Sequence, residues 1–427
     1  MRTTRAALFR DRRFLLLLSA RTLSMLAIAF APVALAFGIL DLPGATPSTL
    51  SLVLTASAVS VVAFTLAGGV IADRYPRERV LQSAEWVASA VHIAIGVMLL
   101  TGHAPIWGLM LATFVAGMGE ALVWPALTGI IPEVVPASNL QDGNALLGLG
   151  GNLARVVGLV AGGLVVIAIG GGWALIGAGV TFAVSGLLIS RLRLGRAPVQ
   201  PYGHEGLRAQ LAGGWAEFRS RQWLWVVVLQ FSVLVMVWQA AHLVLGPVVA
   251  KSELGGAAAW TTVLTSESVG LIVGGLLAMR LRPRRPILLV VLLSFGAAPP
   301  YLLLGGRASL LAVAVASFVL GVCFEALGVL WQTTMQREVP PESLSRVSSY
   351  DALGSLLLGP LGLLLAGPAA EAFGAHASLI GCGVVMVVVN VGALLSPGVR
   401  SLRAPAVTAA PRGPIEPVEA GPATIVP

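Results

Sequence analysis

Glu120, Glu267, Glu325 and Arg155 each stand inside a long run of apolar residues, where the flanking sequence supplies nothing to solvate a charge. An ionisable side chain at bilayer depth is costly, so by default it marks a working site. Glu120 and Arg155 fall near the middles of neighbouring apolar segments and are expected to pair. Such a pair is either a static bridge, which stabilises little once desolvation is counted, or a proton switch. In the switch, protonating the carboxylate frees the arginine and weakens a contact in one conformation only. Both readings stand on the residues alone. Glu325 and Glu267, with Gln239 and His242, extend the polar set into the second half of the chain. Glu325 ranks above Glu267 for proton coupling, because its surroundings repeat those of Glu120. His242 could relay a proton or simply bond a neighbour. Trp124, one turn beyond Glu120, joins Trp238, Phe231, Trp331 and Met236 as a lining suited to bulky, planar or cationic molecules. Plain helix packing is the ordinary use of any one of these aromatics.

These residues do not assemble into an enzyme. No His-Glu-x-x-His, phosphate loop or Ser/His/Asp set occurs at plausible depth. Cys323 and Cys382 lie within apolar segments and read as small core residues, so neither a metal nor a cofactor is called for. No segment is long enough for a nucleotide-hydrolysing domain. The net charge of +8 does not point to nucleic acid, because the arginines cluster in short loops between apolar runs.

The elements that must hold these groups follow from composition. Apolar residues make up 57% of the 427 and charged residues 11%, whereas a soluble domain carries about 25% charged residues. About 20 apolar residues span a ~30 Å hydrocarbon core as a helix. Twelve such segments are predicted, near 14–40, 48–72, 82–101, 105–131, 141–169, 173–190, 222–249, 257–280, 286–305, 308–334, 351–370 and 376–396. The first is too long for a secretory signal and is expected to be retained. Its Arg21 is close enough to one boundary to snorkel or to pair with Glu85. The fold class is therefore all-α and polytopic, in a lipid bilayer.

Charge sets the expected orientation. Arginines fill the loops on the side of the chain start, among them Arg74, Arg77, Arg79, Arg191, Arg280, Arg282 and Arg285. The opposite loops keep Lys251 and Arg307. Both termini are thus expected in the cytoplasm, with Trp107, Trp173 and Trp260 at the outer helix ends. Residues 1–196 form one six-helix bundle and 222–399 a second. The linker 197–221 carries an amphipathic stripe (Leu207, Leu211, Trp215, Phe218), and the tail 400–427 is expected to be disordered.

The halves echo each other. Gly68-Gly69-Val70-Ile71-Ala72-Asp73-Arg74 returns as Gly274-Gly275-Leu276-Leu277-Ala278-Met279-Arg280. Phe114 to Leu122 returns at Phe318 to Leu327, and Glu133-Val134-Val135-Pro136 at Glu338-Val339-Pro340-Pro341. A repeated membrane half makes two similar bundles with a cavity between them, which is where solutes cross.

With its Gly69-x-x-Ala72-Asp73-Arg74 loop ending in Arg77-Glu78-Arg79, the chain resembles the major facilitator superfamily from about Phe14 to Pro397. Pro76 and Glu78 depart from that loop's usual turn glycine and basic residue. Trp124-Pro125, Pro132-Glu133 and Gly158-Leu159-Val160-Ala161-Gly162-Gly163 are similar to the branch that exports drugs, siderophores and macrolides, although the last lacks the branch's proline. The resemblance implies a monomeric, proton-coupled carrier of a small molecule in a bacterial cytoplasmic membrane. It implies export by antiport, or else uptake by symport or facilitation on the same fold. It also implies a gating loop of Gly69, Asp73, Arg74 and Arg77. There Asp73 would bond the start of the eleventh helix, near Tyr350 to Leu353, and Arg77 would pair across the same seam.

Overall fold

A computed structural model describes residues 8–136, 139–192, 194 and 215–403; some side chains within 66–74, 124–145 and 341–346 lie outside the described set. Among the described residues twelve helices are long and apolar enough to span a membrane, and there is no strand. They are α1 (Arg12–Leu40), α2 (Pro47–Arg74), α3 (Arg77–Thr101), α4 (Ile106–Val134), α5 (Leu140–Ile169) and α6 (Gly171–Ser190). Then follow α7 (Gln222–Glu253), α8 (Ala257–Ala278), α9 (Pro286–Gly305), α10 (Leu310–Glu338), α11 (Pro341–Leu356, resuming as Gly359–Phe373) and α12 (Ala375–Leu395). Each coincides with one of the twelve predicted segments. The linker stripe lies mostly outside the described residues, as does nearly all of the tail.

Three helices are irregular, and each irregularity has a chemical cause. Pro299 and Pro300 supply no N–H to the preceding turn, and α9 tightens to a 3₁₀ turn at Phe295–Ala297 just before them. Helix α11 breaks after Leu356, ahead of Gly359-Pro360. Helix α7 widens to a π turn at Ala240–Leu245. Pro247 cannot donate to the carbonyl four residues earlier, so the ladder can slip by one residue in the turn before it.

Helix α11 also corrects an expectation. It begins at Pro341, after Pro340, so Tyr350 to Leu353 lie inside a helix whose N–H groups are already engaged. The free donors of its first turn sit nine residues earlier than the sequence suggested.

Glycines bring backbones together where the packing is tightest. A Cβ on Gly270 or Gly274 of α8 would collide with the carbonyl oxygens of Phe318 and Val322 on α10. A Cβ on Gly321 of α10 would strike the Glu267 carbonyl on α8. Gly274 is the repeat-mate of Gly68, so the echoed signature here has a packing role.

Among the described residues, several contacts join the N-terminal and C-terminal six helices at the arginine-poor end, the one with the α1–α2, α7–α8 and α11–α12 loops. The Ser51 hydroxyl of α2 donates to the Leu363 carbonyl of α11 and accepts from the Gly367 N–H at 3.3 Å. The Ser48 N–H, in the first turn of α2, donates to Glu371 Oε1 at 3.2 Å. Lys251 pairs with Asp41 at 2.7 Å and donates to the Leu40 carbonyl. Gly163 of α5 lies against Thr261 of α8.

Glu371 faces the positive end of the α2 dipole, an interaction of about 0.3–1 kcal/mol when exposed. Glu371→Gln is therefore expected to loosen this end modestly. In a cysteine-free background carrying Thr55→Cys, below the clasp on α2, thiol labelling should quicken about two- to fivefold. An unchanged rate would show that Glu371 does not hold the halves together.

Candidate functional site

The space between the halves widens away from that clasp. On α4, Leu109, Thr113, Ala116 and Glu120 recur at helical spacing on one face, opposite the exposed Trp107 and Leu111. Leu109 is 0% exposed and Thr113 4%, yet Glu120 is exposed, so the inner face emerges into a cleft at mid-helix. On α5 the same change occurs between Gly163, packed on α8, and the exposed Arg155, about 12 Å nearer the arginine-rich end at 1.5 Å per residue.

At the head of this cleft stands a polar cluster on the C-terminal helices. The π turn of α7 carries His242, whose Nδ1 shares a 2.9 Å hydrogen bond with the hydroxyl of the buried Tyr301 on α9. The Trp238 ring stacks on the imidazole with centroids 4.6 Å apart and planes at 18°. Trp260 closes another side at 5.5 Å. Glu267 of α8 approaches His242 Nδ1 to 3.7 Å through Oε2, too long for a hydrogen bond, and that buried oxygen has no donor. Leaving a buried acceptor unpaired costs about 1–3 kcal/mol, more when it is charged.

Arg155 supplies the opposite charge from the other half. It makes no hydrogen bond or 4 Å ion pair with a described residue, but its charge acts on both Glu267 and His242. The expected Glu120–Arg155 pair is therefore not assembled: Arg155 faces the C-terminal helices, where Glu267 is. Glu120 makes no ion pair with a described residue. Its repeat-mate Glu325 rests against Gly275 of α8, also exposed.

The remaining candidates divide. Gln239 lies against Gly359 of α11, and its buried Oε1 has no donor. Phe231 packs on Phe324 at 5.9 Å, and the Trp331 Nε1–H donates to Asp351 Oδ2 at 3.0 Å, so these two lining candidates sit away from His242. The side chains of Gly69, Asp73, Arg74 and Trp124 are outside the described set. Arg77 forms a 2.9 Å ion pair with Glu133 at the end of α4, a contact within its own half. Trp260 stands in the first turn of α8, at a helix end as expected. It is 3% exposed and seated on Gly246, so it serves the cluster and not an aromatic belt. Arg21 is within electrostatic reach of Glu85, which is 5% exposed among Ser24 and Ser185, but the two form no 4 Å ion pair and Glu85 Oε2 is buried without a donor.

Sequence reasoning missed Tyr301, Asp351 and the π turn. Tyr301 follows the proline pair of α9, and Pro247 sits one turn beyond His242; all three prolines were visible signals of local irregularity. Asp351 lay within the stretch assigned to the latch.

The twelve-helix fold has counterparts among known proteins. The chain is 26% identical over 374 residues to the multidrug efflux pump Tap of Mycolicibacterium fortuitum, covering 82% of this chain and 88% of that protein. It is 27% identical over 365 residues to the enterobactin exporter EntS of Salmonella typhimurium, covering 79% and 81%. The nucleoside transporter NupG superposes on it with a TM-score of 0.74 at 11% identity, over 90% of this chain and 99% of the other, a likeness of fold. The Major Facilitator Superfamily profile matches residues 14–362. The chain belongs to the Major Facilitator Superfamily and is a membrane transporter.

Proposed function

We propose that this transporter exports a small organic molecule by proton antiport, with its arginine-rich end and both termini in the bacterial cytoplasm. The observation that carries the reading is Glu267. A buried carboxylate oxygen without a donor lies 3.7 Å from His242 of its own half, within reach of the charge of Arg155 from the other. Ionised, Glu267 attracts Arg155 and favours the arrangement in which the halves meet at the arginine-poor end. Protonated, it gives up that attraction, so the equilibrium moves toward states that separate the two. At an effective dielectric near 20, two unit charges 4 Å apart interact by about 4 kcal/mol, and by less in proportion to distance; about 2 kcal/mol is enough to shift a two-state population roughly 30-fold.

The exporter direction is supported by the relatives named as efflux pump and enterobactin exporter. The loop around Asp73 would serve as the latch at the opposite end of the swing, accepting hydrogen bonds from the free N–H groups that follow Pro341 in the first turn of α11. The bundles 1–196 and 222–399 would rock as bodies in a single monomer.

Vesicles with the arginine-rich face outward and an acidic lumen test direction and coupling together. Dyes and antibiotics should accumulate inside as protons leave, and accumulation should collapse when the gradient is dissipated. Accumulation driven only by the opposite gradient would establish symport, and indifference to either gradient would establish facilitated flow.

A further inference from the structure

A separate cavity of about 330 Å³ opens within the C-terminal half, among α7, α9, α10 and α11, nearer the arginine-rich end than the His242 cluster. Its walls are aromatic and aliphatic: Phe231, Phe324, Leu327 and the Trp331 ring. Two polar groups stand out, Gln332 and Asp351. Asp351 is oriented by the Trp331 Nε1–H on Oδ2 and by the more distant Ser355 hydroxyl on Oδ1 at 3.5 Å. No basic side chain lines the cavity among the described residues.

A single carboxylate set in an apolar, aromatic-walled space attracts one chemical class. The space falls within the size range of sites for drug-like molecules. The π faces favour a cation or a planar ring. The carboxylate, with no lysine or arginine among the described wall residues to neutralise it, favours a ligand that brings its own positive charge. A neutral or anionic ligand would leave that carboxylate desolvated and uncompensated.

We propose that this cavity is a binding subsite for an aromatic organic monocation, with its charge at Asp351 and its rings against Phe231, Phe324 and Trp331. The proposal rests on the transporter reading above and narrows its cargo class. Because the subsite is built by one half alone, it keeps its shape while the halves move. Cargo can thus be held there before Glu267 and Arg155 separate.

Tetraphenylphosphonium and tetraphenylborate, nearly isosteric and opposite in charge, form the test. Their binding to the purified full-length protein is measured by equilibrium dialysis. The wild type should bind the cation at least tenfold more tightly than the anion. Asp351→Asn should weaken cation binding about tenfold and leave the anion unchanged, and Asp351→Glu should restore most of the loss. Size-exclusion and thermal-unfolding profiles matching wild type establish that each variant is folded. Equal affinity of the wild type for both ions, or undiminished cation binding by a folded Asp351→Asn, overturns the subsite. Gradient-driven transport is read on the same preparations. Its absence in wild type with charge-selective binding intact would remove the antiport reading and leave the subsite standing.

Discussion

Glu267→Gln is expected to abolish gradient-driven transport while cargo exchange continues. The substituted amide keeps the shape of a protonated carboxyl but cannot ionise, so the attraction to Arg155 is permanently absent. A proton then makes no difference to which arrangement of the halves is preferred, and a carrier without that difference cannot be driven. Net transport under a pH gradient should fall roughly 30-fold or more, the population factor of the ~2 kcal/mol interaction that is lost. Exchange of labelled for unlabelled cargo at equal pH should survive, since it needs access and binding but no coupling. Glu120→Gln and Glu325→Gln, made alongside, should retain gradient-driven transport, as neither carboxylate pairs with the opposite half in the structure. Loss of coupling in Glu120→Gln with normal coupling in Glu267→Gln would transfer the proton to α4.

The other large effect concerns assembly. Gly321→Leu should prevent α8 and α10 from meeting, because its Cβ would strike the Glu267 carbonyl and would stand 2.8 Å from the Leu271 N–H nitrogen. Overpacking of a tight contact costs about 1–3 kcal/mol in ordinary cores. Here the obstruction is backbone, which has no rotamer to move aside. Yield of folded protein in mild detergent should drop sharply, and any that folds should unfold at a lower temperature. Gly392→Ala on α12 is the control: its Cβ meets nothing within 4 Å, and the variant should match wild type. A Gly321→Leu protein that unfolds like wild type would mean that the α8–α10 contact contributes little to the bundle.

The spans were legible because hydropathy and helix length are local properties, and each segment carries its own signal. Leu310–Glu338 contains the predicted 308–334 almost entirely, and Gly171–Ser190 the predicted 173–190. Partnership is not local. Glu120 and Arg155 are neighbours along the chain, and that proximity suggested a pair. The fold instead turns Arg155 toward His242 of α7 and Glu267 of α8, each more than eighty residues away in sequence. Trp260 was legible as a helix-end residue but its contacts were not, because a helix-end tryptophan reads the same whether it meets lipid or, as here, Gly246 and an imidazole. The start of α11 was obscured by polar residues between Pro341 and Ser349, which lower its hydropathy without preventing a helix.

The wide turn at Ala240–Leu245 gives α7 one residue of slack. Handing that slack to an adjacent position would swivel the residues in between by about 100°, the angular step of a single residue in an α-helix. His242 could thereby leave Tyr301 and re-aim its ring while both ends of α7 stay anchored in the bundle. The imidazole has an axle of its own, independent of any movement of the larger bodies around it.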